Sequence, residues 1–104
     1  MSEPVPANGA SGGKPSLVRQ VEIVNKKGLH ARASAKFVQI AEQYNADISV
    51  TRGGETVGGT SIMGLMMLAA GTGTTITISA TGADAVPAMQ ALCDLVSARF
   101  GEDD

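Results

Sequence analysis

The single histidine of the chain lies in a segment suited to phosphoryl chemistry. His30 follows Gly28 and precedes Arg32 by two positions, between a strand-like segment and a helix-like one. Imidazole is a nucleophile whose charge changes near neutral pH, and the planar guanidinium of arginine matches the oxygens of a phosphate group. The start of a helix adds unpaired N–H groups and the positive end of a dipole. Together these features indicate a histidine that accepts and passes on a phosphoryl group.

His30 has other interpretations. A lone histidine in a surface loop is usually only a solvated side chain. A small binding module could also hold an anionic metabolite without covalent chemistry, at the Gly28 loop and the helix N-terminus, with Arg32 contributing. A hydrolase in which His30 activates Ser34 is disfavoured, because the sequence places no acid that would orient the histidine.

Composition excludes several classes of protein. A chain of 104 residues fits one small domain, and an aromatic content of 3% predicts an aliphatic core. The net charge is −2, and no basic stripe with interleaved aromatic residues indicates nucleic-acid binding. Cys93 is the only cysteine, so no internal disulfide can form and a reducing compartment is expected. The sequence shows neither a P-loop nor a cluster at metal-ligand spacing, so we expect no metal or cofactor.

The chain divides into a domain and two tails. Residues 1–16 hold three of the four prolines and show no apolar pattern, which predicts a disordered N-terminal extension. We expect the folded domain at residues 17–101 and an acidic C-terminal tail at residues 102–104. The longest apolar-rich stretch, residues 62–70, is too short to span a bilayer. These features predict a cytoplasmic protein without membrane insertion.

Apolar periodicity predicts seven elements. Strands are expected at 17–24, 47–51, 55–58 and 75–81, and helices at 31–44, 62–68 and 83–100. Gly53 and Gly54 predict a hairpin turn between the second and third strands. The apolar stripe of the last helix runs from Val86 to Phe100 and predicts that Cys93 is a buried core residue. Short alternating strands with helices favour an α+β two-layer sandwich, in which helices cover one face of the sheet.

The short helix at residues 62–68 carries two further features. Ser61 precedes it as a natural N-cap, which contributes about 1 kcal/mol to helix stability. The helix is apolar nearly all round, and its isoleucine and methionines cannot all face inward. We therefore expect Met63 and Met66 to be exposed and to form an adaptable docking surface, although core packing explains Leu65 and Leu68.

Two segments resemble the signatures of one family. Gly28-Leu29-His30-Ala31-Arg32, followed by a helix of small residues, resembles the active-site signature of the HPr family, the histidine phosphocarriers of the bacterial phosphotransferase system. Ser61-Ile62-Met63-Gly64-Leu65 resembles the second signature of that family, around its regulatory serine. The spacing of the two signatures and the order of the elements also match, and the resemblance covers residues 17–100.

The resemblance implies a fold and a relay. The fold would be an open-faced β-α-β-β-α-β-α sandwich with a four-stranded antiparallel sheet. His30 would take a phosphoryl group on Nδ1 from phosphorylated enzyme I, whose ultimate donor is phosphoenolpyruvate, and pass it to an EIIA-type domain. Arg32 would neutralise the phosphoryl oxygens. The protein would be a monomeric transfer intermediate rather than a free-standing enzyme, in sugar uptake or in the nitrogen-related branch of the NPr proteins.

The second signature implies regulation. Ser61 would be phosphorylated by an HPr kinase, which would add about two negative charges beside the apolar residues of the helix. From the apolar character of that helix, we expect Ile62, Met63 and Met66 to contact the partner proteins. One departure from the family lies beside the first signature: Ala33 stands where proline is common, which predicts a less rigid loop around His30.

Overall fold

The computed structural model describes residues 16–102. The elements are β1 (Ser16–Glu22), α1 (Ala31–Ala41), β2 (Asp47–Arg52), β3 (Glu55–Gly58), α2 (Ile62–Met67), β4 (Thr75–Thr81) and α3 (Ala85–Ser97), followed by a 3₁₀ turn (Arg99–Gly101). The order of elements predicted from the sequence is confirmed. Residues 1–15 of the predicted extension and residues 103–104 of the predicted acidic tail lie outside the described residues.

The four strands form one antiparallel sheet in the order β1-β4-β2-β3. Alternation along β4 explains why one face is covered: Ile76, Ile78 and Ala80 are buried beneath the helices, while the intervening threonines and serine lie on the opposite face. At the β2–β3 hairpin, Gly53 and Gly54 both have positive φ, as the predicted turn requires. The open-faced α+β sandwich with a four-stranded antiparallel sheet is therefore confirmed.

The core between sheet and helices is mainly aliphatic, as the composition predicts. Two phenylalanines, Phe37 of α1 and Phe100 of the 3₁₀ turn, are its only large aromatic members among residues 16–102. None of the helices in this part of the chain has the length and apolar character that crossing a membrane requires.

All three helices are shorter than predicted, α2 only by its last residue, since it ends at Met67. The first ends at Ala41 rather than at residue 44, because the N–H groups of Gln43 and Tyr44 bond three residues back instead of four. The last ends at Ser97, after which Arg99 (φ 59°) and Phe100 (φ 55°) adopt left-handed conformations. Phe100 is nevertheless buried. Its predicted place in the apolar core is confirmed, whereas its predicted helical conformation is wrong.

Two residues of the last apolar stripe lie outside the core. Val86 is 58% exposed, and Cys93 is only half-buried at the margin of the core. The prediction that Cys93 is a buried core residue is therefore wrong. The fully covered face of α3 is narrower than the apolar stripe, because the helix packs on β1, the edge strand, and on β4. Burial raises the pKa of the Cys93 thiol, and the nearby Arg19 opposes that effect.

The ends of the domain also differ by one residue each from the predicted boundaries. Ser16, assigned to the extension, is the first residue of β1 and lies opposite Thr81 of β4. Glu102, assigned to the acidic tail, contacts side chains of the folded domain.

Candidate functional site

His30 is the residue from which α1 starts. Its backbone is extended, and its carbonyl accepts the first helical hydrogen bond, from the N–H of Ser34 at 2.8 Å. The imidazole makes no capping bond to the helix and is 29% exposed. The side chain is thus available for chemistry beside the positive end of the helix dipole.

A glycine turn holds the backbone before His30. Gly28 has φ 68°, and a Cβ atom at this position would lie 2.5 Å from the carbonyl oxygen of Ala70. That same oxygen accepts a hydrogen bond from the N–H of Leu29 at 2.9 Å. The segment that follows α2 therefore fixes the loop of Gly28, Leu29 and His30, which we call the histidine loop. This contact places α2 next to the site.

Arg32 and His30 line one surface cleft of about 480 Å³. The cleft also includes Ala31, Lys27 and Glu102, and Arg32 itself is exposed. The structure thus brings together the histidine, the arginine and the helix N-terminus that the sequence singled out. Lys27 adds a second cation, which the sequence analysis did not single out.

Glu102 is the site residue that sequence reasoning missed. Its carboxylate forms a hydrogen bond with Nε2 of His30, and the Nδ2 group of Asn25 donates to both carboxylate oxygens at 3.2 and 3.3 Å. The hydrogen bond from His30 lowers the pKa of the Glu102 carboxyl; burial opposes this, and Asn25 and Lys27 add to it. The carboxylate form is therefore favoured beside the imidazole.

Ser34, the alternative nucleophile, is not placed for hydrolysis. Its side chain is fully buried, and its Oγ donates to the carbonyl of Leu29 at 3.3 Å. Although an acid does lie beside His30, contrary to the expectation from sequence, the hydroxyl cannot reach a substrate in the cleft. The described residues therefore do not support a hydrolase in which His30 activates Ser34.

Ser61 caps α2 as predicted. Its Oγ accepts a hydrogen bond from the N–H of Gly64 at 2.9 Å, and the serine itself is exposed. The predicted exposure of Met63 (70%) and Met66 (44%) is also confirmed. Ile62 and Met67 complete an exposed apolar patch, while Leu65 is fully buried. We call these four exposed residues the α2 patch.

Comparisons with known proteins agree with this geometry. A family model described as the PTS HPr component phosphorylation site matches residues 17–98. The phosphocarrier protein HPr of Neisseria meningitidis is 54% identical over 86 residues, which cover 83% of this chain and 97% of that protein. The phosphocarrier protein NPr of Shewanella violacea is 45% identical over 86 residues, with 83% and 94% covered.

A solved structure extends the likeness to three dimensions. The crystal structure of HPr-C-His from Thermoanaerobacter tengcongensis has a TM-score of 0.81 at 41% identity and covers 85% of this chain and 99% of that one. These findings support a phosphocarrier and give no support to a non-covalent anion-binding module. The chain belongs to the HPr family of phosphocarrier proteins of the phosphotransferase system.

Proposed function

We propose that His30 carries the phosphoryl group, which it accepts from phosphorylated enzyme I and passes to an EIIA-type acceptor. The observation that carries the proposal is the position of the imidazole. It makes no capping hydrogen bond to α1, is partly exposed at the N-terminus of that helix, and lines one cleft with Arg32. A nitrogen lone pair of His30 forms the new bond to phosphorus, while the bond to the donor breaks and its electron pair stays with the donor.

Charge stabilisation supports this role. The transferring group carries negative charge on its equatorial oxygens, and catalysis depends on fixed donors around it. Arg32 offers a planar fork of N–H groups, and the first turn of α1 offers N–H groups that have no partner within the helix. Lys27 lines the same cleft and carries a further positive charge. These groups should stabilise the negative charge of a phosphoryl group in the cleft more than bulk water does.

The α2 patch is proposed as the surface that binds enzyme I and EIIA-type domains. Its members Ile62, Met63 and Met66 are between 41 and 70% exposed, on a helix joined to the histidine loop through Ala70. Flexible thioether side chains can adapt to more than one partner. The patch is thus suited to a carrier that meets a donor and an acceptor in turn.

Ser61 is proposed as a regulatory phosphorylation site for an HPr kinase. The serine is exposed and caps α2. A phosphate there would keep the favourable interaction with the helix N-terminus, and would place about two negative charges beside the α2 patch. Incubation with HPr kinase and ATP should add one acid-stable phosphoryl group to the wild type and none to Ser61→Ala. An unchanged mass of the wild type, with an active kinase, would reject this role.

Intact mass spectrometry tests the carrier role. The protein is incubated with enzyme I and phosphoenolpyruvate, as wild type, His30→Gln and Ser61→Ala. We expect one acid-labile phosphoryl group on the wild type and on Ser61→Ala, and none on His30→Gln. Transfer to His30→Gln would place the phosphoryl group on another residue. No transfer to the wild type, with enzyme I active on a control carrier, would reject the proposal.

A further inference from the structure

We propose that Glu102 is a positioning residue for His30: it holds the proton of the neutral imidazole on Nε2 and leaves Nδ1 as the nucleophile. This inference rests on the proposed function of His30. It assigns a role in transfer to a residue 72 positions further along the chain.

The hydrogen bond determines which ring nitrogen carries the proton. A carboxylate can only accept, so the ring atom facing it must donate, and Nε2 is that atom. Neutral imidazole has a single N–H group, and the lone pair is then on Nδ1. The tautomer follows from the position of Glu102.

The same contact stabilises the ring during transfer. When the Nδ1–phosphorus bond forms, the donor keeps its electron pair and positive charge develops on the imidazole. The proton stays on Nε2 throughout, and the adjacent carboxylate offsets the developing charge, as a buried carboxylate does behind other catalytic histidines. When the phosphoryl group leaves for the acceptor, the bonding pair returns to Nδ1 and the ring is neutral again.

Asn25 fixes the carboxylate in place. Its side chain is fully buried, and its Nδ2 group donates to the carbonyl of Gly28 at 2.8 Å as well as to Glu102. The Oδ1 atom of Asn25 is buried without a hydrogen-bond partner among the described residues. A buried acceptor without a partner loses its hydration and gains nothing in return. The amide is thus held with its donor group towards Glu102, at a cost in stability.

A strained turn delivers Glu102 to the site. Arg99 and Phe100 both adopt left-handed conformations, which are unfavourable for residues other than glycine because the Cβ atom crowds the backbone. Burial of the Phe100 ring offsets this strain, and its carbonyl accepts a hydrogen bond from Nζ of Lys36 at 2.6 Å. The turn redirects the chain after α3, so that Glu102 reaches Nε2. Strain that surrounding contacts maintain next to a reactive group is typical of functional sites.

Nitrogen-15 NMR of the His30 ring tests the proposal on the unphosphorylated protein. Wild type, Glu102→Ala, Glu102→Gln and the control Glu55→Gln, which lies on β3 at the hairpin, are compared. We expect the neutral ring to be mainly the Nε2–H tautomer in the wild type and in Glu55→Gln, and a mixture in Glu102→Ala. Glu102→Gln, which keeps an acceptor and loses the charge, should retain the tautomer.

Transfer kinetics with enzyme I then separate orientation from charge. We expect kcat to fall by about ten-fold or more in Glu102→Ala, the scale found for groups that orient metal-binding histidines, with a smaller change in KM. Glu102→Gln should lie between Glu102→Ala and the wild type. Unchanged tautomer and kcat in Glu102→Ala would overturn the proposal. A wild type that shows the Nε2–H tautomer yet accepts no phosphoryl group would instead overturn the proposed function.

Discussion

We expect charge stabilisation in the cleft to depend most on Arg32. It lies with His30 at the N-terminus of α1, and its guanidinium can contact two phosphoryl oxygens at once. We expect Arg32→Ala to lower kcat for transfer from enzyme I by about 10²–10³-fold, the usual effect of removing one oxyanion-stabilising donor. Arg32→Lys keeps the charge without the fork and should recover only part of the loss.

Arg19→Ala is the matched control for this prediction. Arg19 is exposed on β1, beside Cys93 rather than the cleft, so its removal changes the net charge equally. Steady-state kinetics should show a large loss for Arg32→Ala alone. Equal losses in the two variants would mean that Arg32 acts only through net charge.

The lowered pKa of Glu102 predicts that the stability of the protein depends on pH. Its pKa is lowered in the folded protein, first by the hydrogen bond from His30, relative to an ordinary value of 4.5. A lowered folded pKa stabilises the protein above the unfolded pKa, and that contribution is lost as the pH falls through the folded value. The free energy of unfolding of the wild type relative to that of Glu102→Gln should therefore be constant above the unfolded pKa. This difference should shrink as the pH falls from the unfolded pKa through the folded one. Urea denaturation across this range measures it, and a difference that grows in acid would contradict the assignment.

At the scale of elements, the histidine loop depends on the absence of a side chain at Gly28. Alanine there would meet both a left-handed backbone and the Ala70 carbonyl at 2.5 Å. We expect Gly28→Ala to lower the free energy of unfolding by about 2 kcal/mol or more. Gly53→Ala is a sharp control, because Gly53 has a similar φ of 59° and a methyl group added there would meet nothing within 4 Å. Equal losses in urea denaturation would show that the contact with Ala70 adds nothing.

The C-terminal end of α2 contains a strained residue, and its replacement can increase the stability of the protein. Ala69 follows the cap residue Leu68 with φ 54° and is exposed. Glycine is preferred at this position, because it lacks the Cβ atom that disfavours the left-handed region. We expect Ala69→Gly to raise the free energy of unfolding by about 1 kcal/mol, measured by urea denaturation. A loss of stability would mean that the entropy of the unfolded chain outweighs the relief of strain.

At the scale of the whole molecule, the proposed docking role concerns the α2 patch, since the segment after α2 is hydrogen-bonded to the loop that carries His30. Met63 is 70% exposed within the patch, whereas Val86 is 58% exposed on α3 and outside the patch. We expect Met63→Glu to weaken binding of enzyme I by about ten-fold or more, since it places a charge within an apolar interface. Val86→Glu should leave the Kd unchanged in titration calorimetry. Similar losses in both variants would contradict the proposal that the α2 patch is the docking surface.

Periodicity and local motifs were sufficient for most of the fold. The alternation of β4, the Gly53-Gly54 turn and the Ser61 cap are local properties, and each appears in the structure as predicted. The stripe on α3 was misleading at Cys93 and Val86, because a pattern shows which residues share a helix face and not how much of that face the sheet covers.

The site was only partly predictable for a related reason. His30 and Arg32 lie within one short motif, so their meeting in the cleft follows from sequence. Glu102 arrives from the other end of the chain, by way of two left-handed residues that a helical pattern cannot reveal. Its acidic neighbours made it resemble a solvated tail.

The most direct measurement is a chase of the phosphoryl group. The protein is phosphorylated with enzyme I and phosphoenolpyruvate, separated from both, and mixed with an EIIA-type domain, and both proteins are then weighed by intact mass spectrometry. A relay predicts that this protein loses one phosphoryl group and the acceptor gains one. A phosphorylated protein that keeps its phosphoryl group while a control carrier donates to the same acceptor would contradict the relay through His30.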